Sequence, residues 1–497
     1  MLTTLLLEMA AESSGDRIAL GSRRDGLTYI DILARTRTTA AWLASQPVNT
    51  LVYVGLNSPA FPLALYVAGG AGKSFAPLNY RLHDADLRAI LARTAPSLAI
   101  VEEDALARVT GIEGVTVVSS REFLARTTAG ASKGSAAIPD GDEIAVLLFT
   151  SGTTGQPKAA VLRHRHLTSY VLSTVEFMAA EETESTLISV PPYHIAGVAA
   201  ILSSTYLGRR IVQLESFSPE NWVKLARDER ITHAMVVPTM LGRVLDVLEK
   251  EGERLPSLRH LSYGGGRMPE PTIRRALKQL PHVDFVNAYG LTETSSTIAV
   301  LSPEDHRAAL ASADARTGAR LGSVGRPLPA IELEVRGTDG KPVPTGESGE
   351  IFVRGEQVSG EYLSHNAILD DGWLPTKDCG RVDEGGFLFV EGRLDDVIVR
   401  GGENISPGEI EDVLRTHADV NDVAVIGLPD EDWGERIVAV VVSKTTPRAE
   451  ALRQWVRERL RSSRTPDEII FRSTLPYNET GKLLRRSLKA DLVYRGS

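Results

Sequence analysis

A chain of 497 residues is longer than a single hydrophobic core usually organises, so two or more domains are expected. Hydrophobic residues at 42% and charged residues at 24% give an ordinary globular balance, and a net charge of −9 argues against nucleic acid as the main partner, because phosphate-backbone binding favours a basic face. Cys379 is the only cysteine, which excludes an intramolecular disulfide and a thiolate zinc cluster.

The first eight residues, Met1 to Glu8, carry no basic segment, and their apolar run is too short for a secretory signal. The longest apolar stretch, Ile195 to Leu207, falls short of a membrane span and holds Ser203, Ser204 and Thr205. A cytoplasmic protein without integral membrane contact is therefore expected, and the glycosylation sequons at Asn404 and Asn478 carry no weight.

Short apolar runs alternate with amphipathic stretches, the pattern of an α/β protein. Strands are predicted at Leu51–Leu56, Leu98–Val101, Ile144–Phe149 and Ala234–Val237. Ser302 to Leu321, polar and Ala-rich, reads as a surface excursion. From Ile331 to Arg354 the runs turn short, alternating and Gly-punctuated, which predicts an antiparallel β-rich portion. The character changes again near Gly392. Ser406-Pro407-Gly408-Glu409 has the form of a capping box opening a helix with Ile410, Val413 and Leu414 on one face. Strands at Val423–Ile426 and Ile437–Val442 follow, and Thr446-Pro447 opens a helix that aligns Leu452, Trp455, Val456 and Leu460. These last hundred or so residues suggest a small separate domain.

Thr150-Ser151-Gly152-Thr153-Thr154-Gly155-Gln156-Pro157-Lys158 follows a buried-looking strand. Its hydroxyls, glycines and terminal cation suit wrapping a polyphosphate: glycine permits close backbone approach, hydroxyls donate, and Lys158 neutralises charge. A plain Ser/Thr/Gly turn is the commoner meaning of such composition. Gly69-Gly70-Ala71-Gly72-Lys73-Ser74 ends like a Walker A loop, but Val67 holds the position where that loop needs glycine, so it is read as a decoy.

The loop at Thr150–Lys158 resembles the adenylate-forming superfamily of acyl- and aryl-CoA synthetases, peptide-synthetase adenylation domains and luciferases. Further stretches resemble that superfamily in its order: Pro191 to Gly197 (PPYHIAG), Tyr263 to Pro269 (YGGGRMP), Asn287 to Thr294 (NAYGLTET), Gly349 to Gly355 (GEIFVRG), Gly372 to Asp378 (GWLPTKD), Gly392 to Asp396 with Gly401 to Ile405, and Asn478 to Lys482 (NETGK). The resemblance spans nearly the whole chain. It implies an α/β fold with a large N-terminal domain of several subdomains over residues 1–394, built of α/β layers plus a β-rich portion. A small, mobile α+β lid over residues 395–497 completes it.

The resemblance also implies roles. ATP, Mg²⁺ and CoA are the implied co-substrates and cofactor, and Glu293 is the implied Mg²⁺ ligand, one carboxylate beside phosphate oxygens and water. Thr292 serves the α-phosphate region. Gly264, Gly265, Gly266, Asn287, Ala288, Tyr289 and Gly290 frame the adenine slot, where an aromatic face and bare backbone suit a flat base. Asp378 resembles the ribose clamp and Arg393 its multi-donor partner. Lys482 resembles the lysine that stabilises charge as a carboxylate attacks the α-phosphate. Asp395 takes the hinge position, and Gly401 and Gly402 the loop that makes room for pantetheine. His194 matches the residue capping the acyl pocket, with a polar strand end as the equal alternative. Ile195, Ala196, Gly264, Ala288 and Gly290 are the implied acyl-pocket positions. The basic face of Arg453, Arg457, Arg459 and Arg461 suits CoA phosphates but more often means a solvated surface.

Four departures stand out: Ala159 after the loop lysine and Lys377 before the ribose Asp, both usually glycine in the family, and Pro375 and Cys379 as atypical neighbours. No Asp near His194 awaits a substrate ammonium, and Ala288 stands where dicarboxylate relatives carry Arg. The small residues suit a roomy apolar pocket for a medium, long or cyclic acyl group, or else serve backbone packing. Three readings stay open: an acyl-CoA synthetase, a ligase loading a separate carrier protein, and a non-enzymatic acyl-adenylate sensor.

Overall fold

A computed structural model describes residues 1–128, 140–150, 157–401, 403–443, 445, 447–477 and 483–495, with the side chains of 404, 494 and 495 left aside. Among the described residues the strands form four sheets, and the chain is a mixed α/β protein with a large N-terminal and a smaller C-terminal domain.

One large sheet has the order Arg326–Pro327, Ser296–Leu301, Asp284–Leu291, His260–Gly264, His233–Val236, Ser185–Ile188, Arg210–Gln213, Ile18–Leu20, Leu27–Thr28. From Asp284–Leu291 to Ile18–Leu20 all neighbours run parallel. The other large sheet runs His365–Asn366, Glu361–Tyr362, Lys158–Arg163, Ile144–Thr150, Ser74–Pro77, Thr50–Val54, Ser97–Val101, Val115–Ser119. The four strands expected in these two sheets are present within one or two residues of their predicted ends.

The two sheets share one core. Leu51, Phe75, Ile100 and Val146 of one meet Leu20, Ile188 and Ile211 of the other through the helices Ala60–Gly70 and Ile195–Leu207. Both helices lack a polar stripe, and Ala60 to Gly69 are all buried, the mark of a helix covered on every side. The apolar Ile195–Leu207 run is therefore an internal helix.

The expected antiparallel portion is a four-stranded sheet, Glu332–Arg336, Gly349–Arg354, Leu374–Val382, Leu388–Arg393. The stretch from Ser302 lies largely at the surface, as expected, but is helical. It forms the helices Pro303–Ala311 and Ala315–Ala319, with Ser302 capping the first through Asp305 and His306 fully buried against the Tyr263 hydroxyl at 2.8 Å. A weak apolar stripe hid it: only His306, Ala309 and Leu321 face inward.

The C-terminal sheet joins Glu403–Ile405, Ile398–Arg400, Gly434–Ser443 and Val420–Asp430, with Glu468–Phe471 parallel to Gly434–Ser443. Val423 and Val425 face one apolar cluster with Ile410, Leu414, Leu452 and Val456; Ala424, Ile426 and Leu428 face another with Leu488, the period of two of a sheet covered on both sides. The helix Pro407–Arg415 forms as expected, but without the capping box: the Ser406 hydroxyl donates to the Glu391 carbonyl at 2.7 Å, and Glu409 pairs with Arg464. A tertiary contact to the strand before the Asp395 turn has taken the cap. Arg267 and Asp412 add an ion pair across the same junction.

Candidate active site

Thr150 ends one strand and Lys158 begins the next, and the two are Cα partners of an antiparallel ladder. The phosphate-loop stretch is thus closed at its base as a hairpin, and Thr150 Oγ1 donates to the Lys158 carbonyl at 3.4 Å. Ser151, Gly152, Thr153, Thr154, Gly155 and Gln156 lie outside the described residues. The decoy behaves as one: Gly69 and Gly70 end a helix rather than begin one, so a phosphate there would meet the wrong end of the dipole.

Glu293 sits in the short turn Thr292–Thr294, directly after Asp284–Leu291. Tyr362 donates its hydroxyl to Glu293 Oε1, and the main-chain N–H groups of Ser359 and Gly360 donate to the Glu293 carbonyl at 2.8 and 3.3 Å. Gln357 donates to the carbonyls of Thr294 and Thr297 at 2.9 and 2.8 Å and accepts from the Ser295 hydroxyl at 2.9 Å. Such stitching holds an unusual backbone, since Ser295 and Ser296 have φ of 57° and 116°. The Lys158 ammonium lies 5.9 Å from the Tyr362 ring centre. Burial first, then the Glu293 carboxylate, pushes the Tyr362 hydroxyl well above its ordinary range.

Asp378 is buried and faces Arg393 as a Cα partner in the neighbouring strand. Arg393 donates to Asp378 Oδ1 at 3.1 Å, and Tyr289 donates to Oδ2 at 2.6 Å. Burial, then the Asp378 charge, raises the Tyr289 hydroxyl well above its usual value. Lys377 adopts φ of 64°, which explains why glycine suits this position, and its N–H donates to Glu350 Oε1 at 3.2 Å. The Cys379 thiol is buried, and that burial with nearby Glu391 pushes it up to about 11.

The glycines are small for a backbone reason. A Cβ on Gly264 would lie 2.3 Å from the Ala288 carbonyl oxygen, and one on Gly290 would lie 1.7 Å from that of Ser296. Their size therefore says nothing about acyl volume. Gly265 has φ of 75° and is exposed, as is Gly266, where a Cβ would meet only the Pro238 ring at 3.9 Å. Asn287 turns its amide to the Ser323 carbonyl at 3.0 Å. His194 is not at a strand end; it is the N-cap of Ile195–Leu207, its ring 4.5 Å from that of Tyr193, which meets Tyr80 edge-on at 5.8 Å. Ile195 and Ala196 begin that helix, half-buried.

Asp395 is exposed in the turn Leu394–Asp396. Gly401, with φ of 54°, lies under the Trp433 ring; Gly402 and Lys482 lie outside the described residues. On the basic face, Arg453 and Arg457 pair with Glu450, and Arg459 with Glu458 while it stacks on Trp455, so these three are engaged on their own surface. Tyr362, Ser359 and Gln357 went unnoticed in the sequence, where their stretch has no periodic pattern.

This arrangement brings a carboxylate turn, a basic hairpin and a buried Asp–Arg pair to the carboxyl ends of the parallel strands, where open α/β sheets bind ligands. Among the described residues no helix is long and apolar enough to cross a membrane. The AMP-binding enzyme family matches residues 7–363, and the AMP-binding enzyme C-terminal domain family matches residues 409–482. The feruloyl-CoA synthase of an Amycolatopsis species is 32% identical, covering 93% of each chain. The 2-succinylbenzoate–CoA ligase of Bacillus licheniformis is 32% identical, covering 97% of this chain and 98% of the relative. The o-succinylbenzoate CoA synthetase of Bacillus subtilis, solved with ATP and a magnesium ion, superposes with a TM-score of 0.84 at 28% identity over 97% of this chain and 99% of that one. The chain belongs to the AMP-binding enzyme family and, within the adenylate-forming superfamily, to the branch of acyl- and aryl-CoA synthetases, the AMP-forming acid–thiol ligases.

Proposed function

We propose that the chain couples an uncharged aromatic monocarboxylic acid to CoA through an acyl-adenylate, with ATP as the adenylyl donor. A carboxylate oxygen of the acid attacks the α-phosphorus, the bond to the bridging oxygen breaks, and pyrophosphate leaves. The CoA thiolate then attacks the acyl carbonyl, and AMP leaves with the electron pair.

The observation that carries this reading is the buried Asp378 carboxylate, oriented by Arg393 and Tyr289. A carboxylate so held has lone pairs left to accept from both ribose hydroxyls, and Arg393 has donors left for phosphate. Thr292, Thr150 and Lys158 are proposed to hold the phosphates, with Ser151 to Gly155 wrapping them. Glu293 suits Mg²⁺, since it offers a hard oxygen of which only Oε1 has a partner among the described residues. Bound there, the ion would neutralise charge on the phosphate oxygens. Lys482 is proposed to stabilise the charge gathered at the α-phosphate. We assign residues 1–394 and 395–497 to the two domains, with Asp395 as pivot and Gly401 and Gly402 lining the thiol path.

The aromatic preference is supported by the Tyr80, Tyr193 and His194 rings at the start of Ile195–Leu207 and by relatives named for ferulate and indoleacetate. Ala288 offers no partner to a second carboxylate, and an unpaired buried charge costs several kcal/mol, on the order of a thousandfold in binding. The test measures AMP release and thioester formation with benzoate, a phenylpropenoate, octanoate, malonate and an amino acid, each with CoA or a carrier protein. An aryl acid turning over best, only with CoA, is expected. Malonate or the amino acid winning overturns the substrate reading, thioester on carrier protein alone overturns the acceptor, and no AMP from any acid would point to a sensor.

A further inference from the structure

We propose that Tyr362 is a positioning residue for the phosphate site, fixing the Glu293 carboxylate through its hydroxyl and bearing on Lys158 with its ring. This rests on the reading of Glu293 as the metal ligand. Glu293 stands in a single short turn, and a glutamate there has three rotatable bonds and nothing in its own element to fix them. The Tyr362 hydroxyl is the only partner of its carboxylate among the described residues, and it takes one oxygen. That contact leaves the second oxygen without a partner among the described residues, and it is the oxygen that would be offered to the metal.

Tyr362 is itself held from several sides. Its strand, Glu361–Tyr362, pairs with Lys158–Arg163 at Ala160, and the Leu363 N–H donates to the Ala159 carbonyl at 3.0 Å. Glu361 next to it makes a two-pronged pair with Arg163 at 2.8 and 2.7 Å. The ring stacks on His365 with centres 4.8 Å apart and planes at 14°. The Lys158 ammonium at 5.9 Å is within reach of a cation–π attraction. One side chain thus reaches both the acidic and the basic group proposed to grip the triphosphate, although one follows a strand of the first large sheet and the other begins a strand of the second. The charge-assisted hydrogen bond to Glu293 orients the ligand as groups behind metal ligands do, and loss of such a group typically weakens metal affinity about 10–100-fold.

Two variants separate the hydroxyl from the ring, and Glu293→Gln serves as reference. ATP binding is followed by calorimetry over a range of Mg²⁺ concentrations without any acid, and turnover is measured in parallel. Tyr362→Phe should raise the Mg²⁺ concentration needed for half-maximal ATP binding about tenfold or more, while ATP affinity and kcat at saturating Mg²⁺ stay within about threefold of wild type. A merely structural role would lower kcat and the melting temperature without moving the Mg²⁺ midpoint. Tyr362→Leu should also weaken ATP binding at saturating Mg²⁺, because Lys158 loses the ring. If Tyr362→Phe leaves the Mg²⁺ midpoint unchanged while Glu293→Gln shifts it, the positioning role is overturned and the metal ligand stands. If Glu293→Gln does not shift it either, the reading of Glu293 falls and this role with it.

Discussion

Tyr289 and Asp378 meet at 2.6 Å, hydroxyl to carboxylate, joining the last strand of the parallel set to the four-stranded antiparallel sheet. The contact spans 89 positions and leaves Asp378 gripped from two sides, with Arg393 on its other oxygen at 3.1 Å. Asp378→Asn should therefore weaken ATP binding about 10–100-fold, since hydrogen bonds to a charged group are worth about 1.5–3 kcal/mol. Tyr289→Phe removes only the orienting bond and should cost about tenfold or less. Calorimetric titration with ATP distinguishes the two, and a larger effect for Tyr289→Phe would show that the orienting hydroxyl, not the carboxylate, dominates.

Lys482→Ala should slow acyl-adenylate formation about 100–1,000-fold, the usual loss on removing one group that stabilises transition-state charge. Transfer to CoA from a supplied acyl-adenylate should be largely spared. Equal loss in both half-reactions, measured by pyrophosphate exchange and thioester release, would refute the assignment.

Lys377 occupies left-handed backbone, which costs a non-glycine residue about 1–2 kcal/mol. Lys377→Gly relieves that strain. Against it stand the extra freedom of glycine in the unfolded chain, about 0.5–1 kcal/mol, and the Lys377–Glu350 pair at 3.4 Å, whose lysine is exposed, worth under about 1 kcal/mol. The melting temperature should hold or rise slightly, whereas Lys377→Val, β-branched at positive φ, should lower it. A marked loss with glycine would mean that the ion pair outweighs the strain.

Acid should destabilise the fold through three histidines. Burial holds His164 and His166 down to about 4 and His233 down to about 2, helped by the Met1 amino group, by Arg165 and Arg163, and by Arg209, His260 and Arg259 respectively. Unfolded histidine titrates near 6.5, so the folded chain binds fewer protons, and the stability present above that pH is lost as pH falls below it. At pH 5 each accounts for about 2 kcal/mol. Thermal melts of wild type and His233→Gln at pH 7 and 5 check this: the variant should lose less on acidification, and an identical loss would contradict the depressed value.

The sequence is most legible where local chemistry and local structure coincide. The hairpin base at Thr150 and Lys158 follows from a β-rich apolar run ending in small polar residues, and Asp378 and Arg393 are brought opposite each other by two adjacent strands. What stays hidden is tertiary. Tyr362 reaches Glu293 across 69 positions from a two-residue strand too short for any pattern to mark. Ser406 carries a local capping signature, yet its hydroxyl crosses to Glu391. Gly264 and Gly290 read as room for a substrate, and the reason for them is main chain pressed against main chain. Sequence names the residue types a site needs, while close approach between distant segments decides which of them are spent on holding the structure together.

Strands Ser185–Ile188, His233–Val236, His260–Gly264 and Asp284–Leu291 run side by side in register, with Val236, Tyr263 and Asn287 in one row. Each releases its chain at the same edge, into the segments that hold His194, Pro238, Gly266 and Glu293. They are teeth of one comb, set about 4.8 Å apart by the ladder and not by what the tips carry. Descendants of such a chain can acquire a taste for a new acid by altering tips alone, while a defect in any tooth shifts its neighbours and harms every acid equally. Mutations that redirect this enzyme and mutations that merely weaken it should therefore fall on opposite sides of a line drawn across the end of the sheet.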